Sequence, residues 1–335
     1  MGRKALIKKL TISSLSALLS LLLFLASGCE KTAVPYVKTS FALDTVVQVT
    51  VYDKKDEAAA LKALDYCRTA EKTFSMTDPE SELYRLNASS GMPVQVSDEL
   101  YALLENCLRF SAMSDGAFDI TLGALTSVYA FSGSVHRVPD EQERAGLLSR
   151  AGADKLSLGA ENTVFASPGT VIDLGAAAKG YIADRMKELL ISEGVRHAII
   201  NLGGNVLSID GKPAGKASVP FEAGIAVPVP GRSNEVLLTV SLADDSLVTS
   251  GTYQRYFEQD GIRYHHILDP KTGLPAENGL ASVSVCCRQS ENADILSTAC
   301  FVLGEEKSAE LIANLDFPVE VIFVNDQLEI TRIHN

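Results

Sequence analysis

The sequence predicts an α+β fold with mixed or antiparallel sheets and packed helices. Three observations carry that reading. Strand-like and helix-like segments are interspersed along 335 residues without the regular strand–helix alternation that builds a parallel sheet. No internal repeat or low-complexity stretch interrupts them. A hydrophobic content of 46% beside 21% charged residues is that of a chain able to bury a sizeable core.

The elements follow in order. Arg3, Lys4, Lys8 and Lys9 precede an apolar run over 10–26 and then "SGC", a secretory signal layout. Its end, "LASGC", resembles the bacterial lipobox, which implies a signal peptide over 1–28 and lipidation of Cys29. Ala26 stands where Leu, Val or Ile is usual, so an uncleaved anchor or an ordinary signal are the alternatives. Loss of the four cations of 1–28 takes the formal net charge from −12 to −16. Such acidity suits a body held at a membrane by lipid and argues against nucleic acid as a partner.

Residues 29–40 read as a polar tether containing Pro35, and 41–332 as the folded domain. Over 45–53, "TVVQVTVYD" is β-rich and partly alternating, hence a strand. Ala58, Leu61, Ala63, Leu64 and Cys67 recur at helical spacing and predict a helix over 54–75. A turn and short helix follow over 78–91, then a helix over 97–116 with Ser97 as its N-cap and Gly116 as its stop. After "AFDITLGAL" comes a looser stretch, then a helix over 140–151 and β segments near 155–158, 163–166 and 170–174. The spacing predicts a helix over 178–194, and a strand, a Gly-Gly break and a strand over 197–211. Gly and Pro mark 211–234 as a surface loop around one short strand. Strands near 235–240, 246–249, 263–268, 281–287, 319–324 and 328–331 complete the chain, with helices at 292–303 and 305–315.

Beyond Cys29, five cysteines remain, an odd number without metal-type spacing. Cys67, Cys107 and Cys300 fall on apolar helical faces, and Cys286 and Cys287 end a strand, so they read as buried small hydrophobes.

Four clusters hold polar residues in unusual places. "VIDLGAAAKGYIADR" (171–185) brings Asp173 through small residues to Lys179 at a helix start, a place that favours anions; a capping role for Asp173 is the equal alternative. "NLGGN" (201–205) reads as a turn or bulge rather than a phosphate cradle. In "HHILDPKTGLP" (265–275), His265–His266 beside Asp269 offers a base and an orienting carboxylate. Strand alternation would send the two imidazoles to opposite faces. In "NADILSTACFVLG" (292–304), Asp294, Ser297 and Thr298 present oxygen ligands of the kind Mg²⁺ or Ca²⁺ prefers. Asp294 capping the helix, with Thr298 bonding back to its carbonyl, is the alternative.

Taken together, "FALDTVVQVTVY", "FSMTDPESELYRLN", "FDITLGAL", "DLGAAAKGY", "NLGGN", "TSGTYQRYF", "HHILDPKTGLP" and "ADILSTA" closely resemble, in this order, the ApbE family of FAD:protein FMN transferases. The likeness runs from 41 to 330 and implies an ApbE-like fold. It also implies Mg²⁺-dependent attack on the FAD pyrophosphate, transfer of FMN to a Thr (or Ser) hydroxyl as a phosphoester, and release of AMP. The implied acceptors are membrane subunits of redox-driven sodium pumps and other extracytoplasmic flavoproteins, on the outer side of a bacterial cell membrane.

By the same resemblance, Asp294, Thr298, the Ala176 carbonyl and nearby Ser297 would hold the metal. Leu43, Thr77, Phe131, Asp173, Lys179 and Leu268 would contact FAD. His266, with Asp269 beside it, would act on the acceptor hydroxyl. Three departures stand out. Leu43 replaces a usual Met, and "DLGAAAKG" stands where many relatives have "DLGGIAKG", with Ala176 still supplying a carbonyl. Thr77 stands where many carry an aromatic. This last change opens an alternative, hydrolysis of FAD to FMN and AMP; a non-catalytic FAD-binding lipoprotein is a third reading.

Overall fold

The computed structural model describes residues 34–335 apart from Ser132 and Ser134. The expected signal segment, Cys29 and the start of the tether lie outside the described residues. In chain order the first half runs β1 (Tyr36–Ala42), β2 (Thr45–Val51), α1 (Glu57–Phe74), α2 (Glu82–Asn87), β3 (Val94–Gln95), α3 (Asp98–Met113), α4 (Gly123–Tyr129), α5 (Glu141–Leu148), β4 (Leu156–Leu158), β5 (Thr163–Ala166) and α6 (Ala178–Ser192). The strands β6 (Ala198–Leu202), β7 (Asn205–Ile209), β8 (Lys212–Ala214), β9 (Ala217–Val219), β10 (Phe221–Ala226) and β11 (Val236–Leu242) follow. Last come β12 (Ser246–Gly251), β13 (Tyr256–Gln259), β14 (Ile262–His265), β15 (Leu280–Cys287), α7 (Ser290–Ala313), β16 (Val319–Asn325) and β17 (Ile330–His334).

The centre is an eight-stranded sheet in the order β1-β2-β6-β7-β12-β15-β16-β17, every neighbouring pair antiparallel. Strand alternation sorts its two faces. Val47, Val49, Val51, Val283, Val285, Val321 and Phe323 join the buried faces of α1, α6 and α7 in the main core. Ile199, Val206, Leu247, Cys286 and Ile322 pack instead under the β10–β11 hairpin, with Phe221, Ile225 and Leu242. Burial on both faces explains why β15 and β16 read as apolar runs. The five cysteines among the described residues are free, and all but the half-buried Cys286 are buried.

The α+β class holds, and most elements fall where periodicity placed them; three departures have physical reasons. Residues 36–40, read as tether, are the start of β1, an edge strand. Its outward Val37 and Phe41 are exposed, so neither face shows a continuous apolar stripe. The segment 170–174 is extended but forms no ladder: the Asn87 side-chain amide takes both the Ile172 N–H (2.8 Å) and its carbonyl (2.9 Å). The first four residues of the looser stretch, 126–129, belong instead to α4, seven residues with weak intrinsic propensity, held by packing of Leu125 and Tyr129 in a third cluster. The expected pair of C-terminal helices is found: α7 consists of two helices that meet at Gly304, whose φ of 73° and ψ of 177° are not helical.

The crossing of α6 and α7 positions everything that follows. A Cβ on Gly180 would lie 2.3 Å from the Ser290 carbonyl oxygen, so only glycine lets the two N-terminal turns meet. Asp184 of α6 then caps α7: its Oδ1 accepts from the Ser290 N–H (3.0 Å) and its Oδ2 from the Glu291 N–H (2.9 Å). Burial pushes the Asp184 carboxyl up to about 6. Burial also pushes Glu291 up to about 7, with the nearby Asp184 charge adding to it and the Asn106 amide opposing it.

Two outcomes follow from this junction. Gly180→Ala should lower unfolding stability by about 2 kcal/mol or more through overpacking against backbone that cannot yield. A urea midpoint equal to wild type would refute the close crossing. Because the folded pKa values of Asp184 and Glu291 are raised, their contribution to stability is complete below the unfolded carboxyl values. It is lost as pH rises through 6 and 7. The melting temperature should therefore fall between about pH 4 and 7, and Glu291→Gln, which keeps the acceptor for Asn106, should flatten that fall. An unchanged slope in the variant would contradict the assignment.

Candidate active site

The "DLGAAAKG" segment is shaped by Asp173. Its backbone N–H donates to the Ile120 carbonyl (2.7 Å), Oδ1 accepts from the Gly175 N–H (2.9 Å) and Oδ2 accepts from the Thr126 hydroxyl (2.8 Å). Asp173 thus closes the turn and ties it to α4; the N-cap position of α6 is Ala177, which has no side-chain cap. The first turn of α6 carries Lys179, whose Nζ donates to the Gly175 carbonyl (3.2 Å). Ala176 lies in the turn between them, packed against the core.

The Gly180 N–H, one of the donors left over at a helix start, finds Asp294 across the crossing, donating to Oδ2 at 2.9 Å. Asp294 is 4% exposed. Burial raises its carboxyl above the usual range, while the Lys179 ammonium and the Gly180 N–H oppose that shift. The capping alternative for Asp294 is not what forms, since α7 starts four residues earlier and Asp184 caps it. Thr298 lies one turn along the same face and is the position between 292 and 300 that is not buried.

Ser297 departs from its expected place among the metal ligands. It is fully buried; its hydroxyl donates to the Asp294 carbonyl (2.8 Å) and its oxygen lies 2.8 Å from the Ser250 hydroxyl. It braces the helix and presents no oxygen to the site. One carboxylate and one half-open hydroxyl, Asp294 and Thr298, therefore remain on this face. Among the described residues, no three His, Cys, Asp or Glu side chains gather as a metal cluster.

The two imidazoles do point apart. Buried His265 pairs its Nε2 with the Ala276 carbonyl (3.2 Å) and sets its edge against Phe301, at 5.7 Å between centroids. Half-buried His266, just past β14, pairs Nδ1 with the Arg255 carbonyl (3.2 Å). A carbonyl only accepts, so Nδ1 holds the proton and Nε2 is the basic nitrogen. Burial holds the His266 pKa down to about 3, helped by the Arg255, His265 and Lys179 charges. The Lys179 charge is felt at both Asp294, where it opposes the upward shift, and His266, where it is the smallest of the causes.

The expected role of Asp269 is corrected. Its Oδ1 accepts from the Lys271 N–H (2.8 Å) and its carbonyl from the Gly273 N–H (2.8 Å), so it shapes the "DPKTG" turn. The Arg255 carbonyl, not Asp269, orients His266. Leu268 is buried with Leu122, Leu125 and Tyr129, and the Tyr129 hydroxyl donates to the Gly273 carbonyl (2.9 Å). Phe131 stacks on Tyr129 (5.1 Å), next to Phe257 and Tyr264, forming an aromatic wall. In this way α4 joins the Asp173 turn to the "DPKTG" turn.

Leu43 and Thr77 stand farther along, reached through α1. Leu43, with φ 54° in the β1–β2 turn, donates its N–H to the Glu71 carboxylate near the end of α1. Thr77 is exposed beyond the same helix end, where Phe74 meets Tyr181 of α6 edge-on at 5.4 Å. "NLGGN" is a tight turn with Gly203 at φ 61° and Gly204 at φ 100°; buried Asn205 accepts from the Ser290 hydroxyl (2.7 Å). Sequence reasoning missed Thr126, Asn87, Asp184 and Ser250. Ser250 lies inside "TSGTY", and the other three act on backbone or on another site side chain, a pairing that no spacing reveals.

The ApbE family model matches residues 43–323. The chain is 38% identical to a FAD:protein FMN transferase of Treponema pallidum, over 86% of this chain and 84% of that protein. It is 35% identical to one of Klebsiella pneumoniae, over 82% and 84%. The crystal structure of the ApbE protein of Thermotoga maritima superposes with a TM-score of 0.81 at 32% identity, covering 89% of this chain and 97% of that one. The apo flavinyl transferase ApbE of Pseudomonas stutzeri gives 0.76 at 27% identity, covering 90% and 95%. By fold, by motif and by sequence, this chain belongs to the ApbE family.

Proposed function

We propose that this chain is a Mg²⁺-dependent FAD:protein FMN transferase. The FMN moiety of FAD passes to a Thr (or Ser) hydroxyl of an acceptor protein as a phosphoester, and AMP leaves. The observation that carries the reading is buried Asp294, held by the Gly180 N–H at the start of α6 that carries Lys179, with half-open Thr298 one turn along the same face of α7.

The residues fit a hard cation. Asp294 is a buried carboxylate with one oxygen engaged by a single N–H, and Thr298 supplies a neutral oxygen one turn away. The Ala176 carbonyl, just ahead of α6, would complete the protein side. When bound, Mg²⁺ would offset the charge that builds on the pyrophosphate oxygens. Lys179 and the first turn of α6 favour the same anion. Nε2 of His266 is unprotonated near pH 7 and free to take the acceptor's hydroxyl proton; an anionic substrate beside it would raise its basicity. Asp173, Leu268 and Phe131 would line the flavin nucleotide, with Leu43 and Thr77 at its far side.

Hydrolysis of FAD is the second reading. It is favoured by exposed Thr77, where no aromatic ring shields the site from water. The "LASGC" ending supports lipidation of Cys29 and a place on the extracytoplasmic face of a bacterial membrane. There, acceptor subunits of sodium pumps or other redox flavoproteins would be within reach. Among the described residues no helix is long and apolar enough to cross a membrane.

Incubating the full-length chain in detergent with FAD and Mg²⁺, with and without a Thr-bearing acceptor domain, separates the readings. Acceptor-dependent fluorescent protein with AMP supports transfer, FMN release without acceptor supports hydrolysis, and unchanged FAD in both indicates binding alone. Asp294→Ala should abolish metal-dependent turnover. His266→Ala should slow transfer about 10²–10⁴-fold, the usual share of a general base, while FAD affinity is retained. Full activity in the Asp294 variant would sink the metal assignment.

A further inference from the structure

The serine of "TSGTY" touches α7 beside Thr298. Ser250, at the end of β12, is 9% exposed and faces α7. Its Oγ lies 2.8 Å from Ser297 Oγ and 3.3 Å from Thr298 Oγ1. Ser297 donates to the Asp294 carbonyl at 2.8 Å.

A hydroxyl has one proton and two lone pairs, so the directions can be assigned in sequence. Ser297 spends its proton on the Asp294 carbonyl, which can only accept. Toward Ser250 it must then accept, so Ser250 donates. With its own proton committed, Ser250 can only accept from Thr298, so Thr298 donates. The Thr298 lone pairs are left for the open side of the helix.

We propose that Ser250 is a positioning residue that fixes the Thr298 hydroxyl with its lone pairs, and not its proton, toward the divalent cation. The inference rests on the metal reading above. A neutral hydroxyl binds a cation through its lone pairs, and a proton pointed at the ion would oppose binding. The relay Thr298→Ser250→Ser297→Asp294 carbonyl ties the orientation of one ligand to the backbone of the other, an outer-shell arrangement of the kind that tunes metal affinity. Without Ser250, the Thr298 proton has to find another acceptor and its lone pairs lose their fixed aim.

Mn²⁺ titrated into the full chain in detergent, with the free ion followed by electron paramagnetic resonance, tests this without turnover. Ser250→Ala should weaken Mn²⁺ binding about 10–100-fold, the usual effect of losing an outer-shell partner. Ser250→Thr, which keeps the hydroxyl, should restore most of it. Ser297→Ala should weaken binding in the same direction, because Ser250 is then free to donate to Thr298. Asp294→Asn removes the charge of the carboxylate and serves as the reference variant. Wild-type Mn²⁺ affinity in Asp294→Asn overturns the metal reading itself. Loss in Asp294→Asn with wild-type affinity in Ser250→Ala overturns the relay alone. Equal weakening in Ser250→Ala and Ser250→Thr would assign Ser250 to packing and overturn the relay as well.

Discussion

Two helix N-termini meet at Gly180, and the rest of the site depends on that meeting. Each helix start carries a positive end and unsatisfied N–H groups, so bringing two together is unfavourable unless anions intervene. The chain places one carboxylate for each helix on the other: Asp184 of α6 caps α7, and Asp294 of α7 accepts from Gly180 of α6. A side chain at position 180 would push the helices apart and break both contacts, because it would meet the Ser290 carbonyl. Local backbone geometry thereby sets where the buried Asp294 carboxylate sits.

Burial then decides the chemistry. Asp294 is held almost without solvent, and its charge is tolerated through Lys179 and one N–H. Such a carboxylate gains from a further cation. His266 is kept neutral by burial and by surrounding positive charge, and the Arg255 carbonyl fixes which nitrogen is basic. The Lys179 charge works in the same direction as burial at His266, as the smallest of the causes. Short α4 completes the frame, since Thr126 holds Asp173 and Tyr129 holds the "DPKTG" turn.

Much of this was legible in the sequence. Apolar periodicity marked α1, α3, α6 and the inner strands because each buries one continuous face. The segments carrying Asp173, Lys179, His266, Asp294 and Thr298 stood out as polar residues in apolar or glycine-rich surroundings. What escaped was set by tertiary contact. Edge strand β1 lacks a buried stripe, α4 is held by packing rather than propensity, and the strand expected over 170–174 is served by Asn87. Asp269 and Ser297 were placed in the site by adjacency, but their polar atoms turn to a local loop and to the helix backbone. Spacing shows which residues share a face and not which hydrogen bonds each has already made.

The central claim is that Asp294 and Thr298 form one side of a divalent-cation site at the α6–α7 crossing. Crystals of the chain grown with FAD and Mn²⁺, with data collected at the manganese edge, test it most directly. The account predicts an anomalous peak about 2–2.3 Å from an Asp294 carboxylate oxygen and from Thr298 Oγ1. The Ala176 carbonyl should face the same ion, and Gly180 should still donate to Asp294. A manganese peak elsewhere, with Asp294 bound only to Gly180, would contradict it.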